Sequence, residues 1–141
     1  MILYAESSAV GAWLAGESQS PRMKALLKAS EFVVASDLTL IECDRMLVRA
    51  VTLGRIAETE AIDRGRELSA TANGWNVLPI GDEIVARARR PFPSDPIRTL
   101  DAIHLASILA ARVALPGLEV LSLDDRVRNA ARDLGFKLQP R

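Results

Sequence analysis

The chain is poor in the residues on which several common chemistries depend. Its 141 residues contain one cysteine and one histidine. Cys43 therefore has no partner for an intrachain disulfide, a thiolate zinc cluster or a paired redox motif, and a reducing cytoplasm is expected. His104 is the lone imidazole, and Ser7 and Ser8 lack a glycine elbow, so no Ser/His/Asp arrangement is persuasive. Aromatics make up only 4% of the chain, too few for a base-stacking platform to be the main recognition device. Lys and Arg number 18 and Asp and Glu number 18, which leaves no broadly basic surface. There is no P-loop and no G-x-G-x-x-G fingerprint, so nucleotide binding through a glycine loop is disfavoured. No uncharged stretch is long enough to span a bilayer. Met1-Ile2-Leu3-Tyr4-Ala5-Glu6 has no basic n-region and does not read as a signal peptide. A soluble, cytoplasmic protein with no membrane partner is expected.

What is present is hydrophobic content of 49%, enough for one core, and a single domain over residues 1–141 is expected. Short apolar runs alternate with longer helical patterns, the signature of an α/β domain with a mostly parallel sheet. Strands are predicted at Ile2 to Ala5, Phe32 to Ala35, Asn76 to Ile80 and Glu119 to Leu123, with a short one at Lys137-Leu138. Helices are predicted at Ser8 to Leu14, Arg22 to Ala29, Leu38 to Leu53, Glu58 to Ala72, Asp82 to Arg89, Leu100 to Ala114 and Arg126 to Leu134. Pro21 suits a first helical turn, and Gly54, Asn73-Gly74 and Gly135 suit helix ends. Pro91, Pro93 and Pro96 mark one irregular loop.

Four acids stand out. Ligands of parallel α/β sheets bind beyond the C-terminal ends of strands, which favours Glu6 and Asp124. The plainer reading of Asp124 is a helix N-cap, and that of Glu6 a solvated strand-end acid whose neighbours Ser7 and Ser8 can cap the first helix. Glu42 sits at the edge of an apolar stripe formed by Leu40, Cys43, Met46, Leu47 and Ala50, where a surface pair with Arg45 is the alternative. Asp101 shares a helical stripe with Leu105 and Ile108 and is expected to be buried, with a metal, a basic group or a hydrogen-bond donor as partner. His104 reads better as a packed histidine sharing a hydrogen bond than as a ligand. Ser7 and Ser122, beside the strand-end acids, either position water or phosphate or serve as caps. Arg87, Arg89, Arg90 and Arg98 flank the proline loop, either as RNA-backbone contacts or as a solvated cluster. Taken together, an oxygen-rich donor set with no available thiolate suits Mg2+ or Mn2+, ions that stay partly hydrated and engage phosphates. A receiver-type phosphohydrolase is a weaker match, because no lysine stands late in the sheet except Lys137 near the C-terminus.

Four segments, in order, carry a resemblance: Leu3-Tyr4-Ala5-Glu6-Ser7-Ser8-Ala9-Val10, Thr39-Leu40-Ile41-Glu42, Leu100-Asp101-Ala102-Ile103-His104-Leu105-Ala106, and Leu121-Ser122-Leu123-Asp124 followed by Ala130-Ala131-Arg132-Asp133-Leu134-Gly135. Over essentially its whole length the chain resembles PIN-domain proteins, in particular the VapC toxin ribonucleases of toxin-antitoxin pairs. The resemblance implies a three-layer α/β sandwich with a central sheet of four to five strands and about seven helices. It implies an acidic Mg2+ or Mn2+ site at Glu6, Glu42, Asp101 and Asp124, and RNA cleavage leaving a 5′-phosphate and a 3′-hydroxyl. A VapB-like antitoxin that covers the site, a homodimer, and DNA contact only through the antitoxin are also implied. The family's first-strand acid is almost always Asp, and here it is Glu6. That residue binds metal through another rotamer, marks a weakened enzyme, or is a detoxifying change. The alternative function is accordingly an attenuated PIN-fold module that binds RNA or antitoxin.

Overall fold

A computed structural model describes all residues, Met1–Arg141. Five strands alternate with seven helices: β1 (Ile2–Ala5), α1 (Ser7–Leu14), α2 (Ser20–Ala29), β2 (Phe32–Ser36), α3 (Asp37–Thr52), α4 (Glu58–Ala72), β3 (Asn76–Leu78), α5 (Asp82–Ala88), α6 (Thr99–Ala114), β4 (Leu118–Leu121), α7 (Asp125–Asp133) and β5 (Leu138–Gln139). Every strand pairing is parallel, in the order β3-β2-β1-β4-β5. The expected α/β sandwich is therefore present.

The alternation of side chains along the strands divides the core in two. Leu3, Ala5, Val33, Ala35 and Leu121 face one way and meet Ala9, Val10 and Trp13 of α1, Met23 and Leu27 of α2, Cys43 of α3 and Leu68 of α4. Tyr4, Val34 and Val120 face the other way, onto Leu105 and Ile108 of α6 and Ala130 and Ala131 of α7. Both faces of the sheet are covered, which is why its central strands read as short continuous apolar runs.

Local chemistry sets several boundaries. Pro21 occupies the first turn of α2, and Gly54 and Gly135 adopt φ of 70° and 86° just beyond α3 and α7, backbone that a side chain would strain. β3 stops two residues short of expectation, at Leu78, because Pro79 has no N–H for the ladder. β4 ends at Leu121 and not at Leu123, since the Leu123 and Asp124 amides turn away to donate to the Ser8 hydroxyl (2.8 and 3.1 Å). In the proline loop, Arg87 lies 4.2 Å over the Phe92 ring and donates to the Pro91 carbonyl (3.2 Å), so its guanidinium braces the loop. No helix is long and apolar enough to cross a membrane.

In this strand order, connections run outward from β1 through β2 to β3 and then cross back to β4 on the other side of β1. The reversal places a crevice beyond the C-terminal ends of β1 and β4.

Candidate active site

Each of the four acids reaches that crevice from a different segment. Glu6 follows β1, and its amide extends the ladder by donating to the Leu121 carbonyl (3.0 Å). The residue is buried, at 5% exposure, and Oε2 accepts from the hydroxyls of Ser8 and Ser122, the latter at 2.7 Å. Glu6 stands at the N-cap of α1 without capping it, and neither Ser7 nor Ser8 caps it in its place, contrary to the expectation. Their hydroxyls are committed to Glu42 and Glu6.

Glu42 is set by the start of α3. Ser36 and Thr39 form a capping box, and the Thr39 hydroxyl donates to the Ala5 carbonyl (3.0 Å), fastening the helix to the end of β1 one turn before Glu42. The expected pair with Arg45 is absent; Glu42 Oε1 instead receives Ser7 Oγ (2.7 Å) and His104 Nε2 (2.6 Å). Asp124 does cap α7, accepting from the Arg126 and Val127 amides (2.8 and 3.4 Å), and it also faces the crevice. The two readings of Asp124 are compatible.

Asp101 meets its expectation in the main, at the edge of the core. Leu105 and Ile108, on its stripe, are fully buried, whereas the Asp101 side chain keeps 13% of its surface exposed. It lies in the first turn of α6, past the edge of the core, where a carboxylate suits the helix dipole and where Arg98 Nε meets Oδ2 at 3.2 Å. Of the partners foreseen, the structure supplies the basic group.

His104 is the residue whose position the sequence concealed. It is packed, as expected, at 1% exposure, but its hydrogen bonds reach into the crevice. Nδ1 lies 2.8 Å from the Tyr4 hydroxyl, while Nε2 lies 2.6 Å from Glu42 and 3.0 Å from Ser7. The result is a chain of bonds from the sheet core to the crevice wall. A cleft of about 520 Å3 is lined by Glu6, Ser7, Glu42, Arg98, Asp101 and Asp124 among others, four carboxylates against one guanidinium.

Residues 3–133 match the PIN domain family. The chain belongs to that family. No curated protein sequence matches the chain significantly. Among solved structures, the chain is similar to Mycobacterium tuberculosis VapC20, described as a sarcin-ricin loop cleaving toxin, at 16% identity and TM-score 0.65 over 91% of this chain and 94% of that one. It is also similar to a chain of a toxin-antitoxin complex from Klebsiella pneumoniae (16% identity, TM-score 0.61, 94% of each chain). A chain of FitAB bound to an IR36 DNA fragment matches at 15% identity and TM-score 0.67, over 98% of this chain and 93% of that one. These likenesses show a shared fold.

The divalent cation implied for a PIN domain finds an oxygen donor set here and no competing thiolate. Burial, with Glu42, Glu6 and Asp44 nearby, pushes the Cys43 thiol up to about 12, so it is protonated at neutral pH. No three acids close into a preformed cage in this conformation. Mg2+ keeps several waters and takes one or two carboxylates together with substrate phosphate, so it does not need such a cage. The side chains fit such an ion.

Burial alone would raise the Glu42 pKa, but hydrogen bonds from His104 and Ser7 and the electrostatic pull of His104 and Arg98 outweigh it and hold the pKa below the ordinary glutamate value. A depressed folded-state value stabilises the PIN domain above the unfolded value, and this contribution is lost as pH falls through the folded one. The wild-type melting temperature is expected to fall more steeply than that of Glu42→Gln between about pH 5 and 3. Parallel melting curves across that window would contradict the assigned hydrogen bonds.

Proposed function

We propose that this PIN domain is a Mg2+- or Mn2+-dependent endoribonuclease acting as the toxin of a toxin-antitoxin pair. The observation that carries the reading is the convergence of Glu6, Glu42, Asp101 and Asp124, from four segments, on one cleft at the switch point of the sheet. Glu6 and Asp101 would hold the ion, with Glu42 and Asp124 completing its shell directly or through water. Such an ion would supply activation of a water nucleophile and relief of charge on the phosphoryl oxygens. His104 and Ser7 fix the Glu42 carboxylate as an acceptor, one suited to orient the attacking water. Ser8 and Ser122 fix Glu6. The occupant that silences the cleft would be a VapB-like antitoxin, with a homodimer as the working form and DNA reached only through the antitoxin. The toxin-antitoxin complex from Klebsiella pneumoniae among the similar folds supports this partner.

A second reading, an attenuated module that holds RNA or antitoxin, is favoured by one detail: Glu6 Oε2 is already taken by two hydroxyls in a buried position. Incubation of the purified protein with structured RNA separates the two. Cleavage that requires Mn2+ and stops with EDTA is expected of the nuclease, and absence of cleavage across RNAs and metals would overturn it. Glu6→Asp tests the odd residue in the same assay. If the longer side chain is the defect, turnover rises; a variant that cuts no faster and binds no metal would remove Glu6 from the site.

A further inference from the structure

Arg98 is the only cation lining the cleft, and it stands between two carboxylates from different elements. It immediately precedes α6, at the N-cap position, yet its side chain makes no cap bond. Nε approaches Asp101 Oδ2 at 3.2 Å, and Nη2 approaches Asp124 Oδ2 at 3.9 Å. Two acids that otherwise have no shared partner are thus joined through one positive group. The Arg98 side chain is 62% exposed, so the contact is screened by water and held at one good distance and one long one. Such a pair exchanges partners readily.

The remaining charge in the cleft makes the placement informative. Four carboxylates surround a single guanidinium, and a phosphodiester approaching them meets repulsion everywhere except at Arg98. A guanidinium matches the oxygens of a phosphate with two parallel donors, and a compact divalent ion matches paired carboxylates better than a planar fork does. Arg87, by contrast, is committed to Phe92 and to the loop carbonyls.

We propose that Arg98 is a substrate-phosphate-binding residue that rests on Asp101 and Asp124 and is displaced from them when a divalent cation enters. It then faces the RNA backbone next to the cut bond. The inference rests on the nuclease reading and gives Arg98 opposite effects on two ligands: it competes with the metal and assists the RNA.

Mn2+ alone, titrated into wild type, Arg98→Gln, Arg98→Lys and Asp101→Asn with free ion followed by electron paramagnetic resonance, tests the first effect without any turnover. Arg98→Gln is expected to bind Mn2+ about three- to tenfold tighter than wild type, the scale of one exposed like-charge contact, and Arg98→Lys to lie between. Equal or weaker binding by Arg98→Gln, with the Asp101-dependent site present in wild type, would overturn the competition. The second effect is read at saturating Mn2+, where KM for RNA should rise about fivefold or more in Arg98→Gln, and by more than kcat falls. An unchanged KM would overturn phosphate binding. If wild type itself lacks an Asp101-dependent Mn2+ site and cuts no RNA, the nuclease reading fails and this inference fails with it.

Discussion

Asp101→Asn is expected to slow RNA cleavage by about 10²- to 10³-fold, because several kcal/mol of transition-state stabilisation by a bound ion is at stake, at 1.36 kcal/mol per tenfold. Asn has nearly the same size and leaves the first turn of α6 intact, so the melting temperature should stay within a few degrees of wild type. Only the negative charge and one of the two acceptor oxygens are lost. Arg98 would also lose its 3.2 Å partner and be left with the 3.9 Å contact to Asp124. The measurement is a single-turnover rate in Mn2+ beside a thermal melt. A variant that folds normally and cuts at the wild-type rate would remove Asp101 from the proposed chemistry.

His104→Ala is expected to damage both stability and activity. The substitution leaves the buried Tyr4 hydroxyl without its imidazole partner, takes a donor from Glu42 and opens a cavity beneath α6. Together these amount to about 3–4 kcal/mol, or a fall of roughly 10 °C in Tm for a chain of this size. Two conservative variants separate packing from positioning. Gln places an amide near the Nε2 position and can still donate to Glu42, whereas Asn places one near Nδ1, on the Tyr4 side. His104→Gln should retain more cleavage than His104→Asn at matched fractions folded. If the two are equally impaired, the imidazole serves packing and does not place Glu42.

The legible and illegible parts of this chain differ in how far apart the interacting residues lie in sequence. Strand runs, the proline punctuation and the glycines at 54 and 135 act locally, and the elements follow them closely. Asp124 was ambiguous for a local reason, since one carboxylate serves as cap and faces the cleft. Asp101 lies at the end of a buried stripe as its periodicity implies, but periodicity does not show that the stripe ends at the edge of the core, where Arg98 becomes its partner. The packing of His104 is legible in its apolar neighbours, but its partners are not, because Tyr4, Ser7 and Glu42 lie 100, 97 and 62 residues away. A single imidazole flanked by apolar residues gives no sign of such partners. Sequence likewise points the hydroxyls of Ser7 and Ser8 to the nearest helix end, with water or phosphate as the alternative for Ser7, whereas folding offers them carboxylates.

The Thr39 bond to the Ala5 carbonyl and the Tyr4 bond to His104 leave neighbouring residues of the central strand in opposite directions, one to each helical layer. Glu42 depends on the first layer and Asp101 on the second. An opening of either layer, even with the sheet intact, takes away at least one of the carboxylates. The complete cleft therefore needs both layers docked, and it is absent from a chain emerging from synthesis before β4 and α7 have docked. A nuclease built this way would be harmless until its folding is complete, and its activity would report the integrity of the whole tertiary structure.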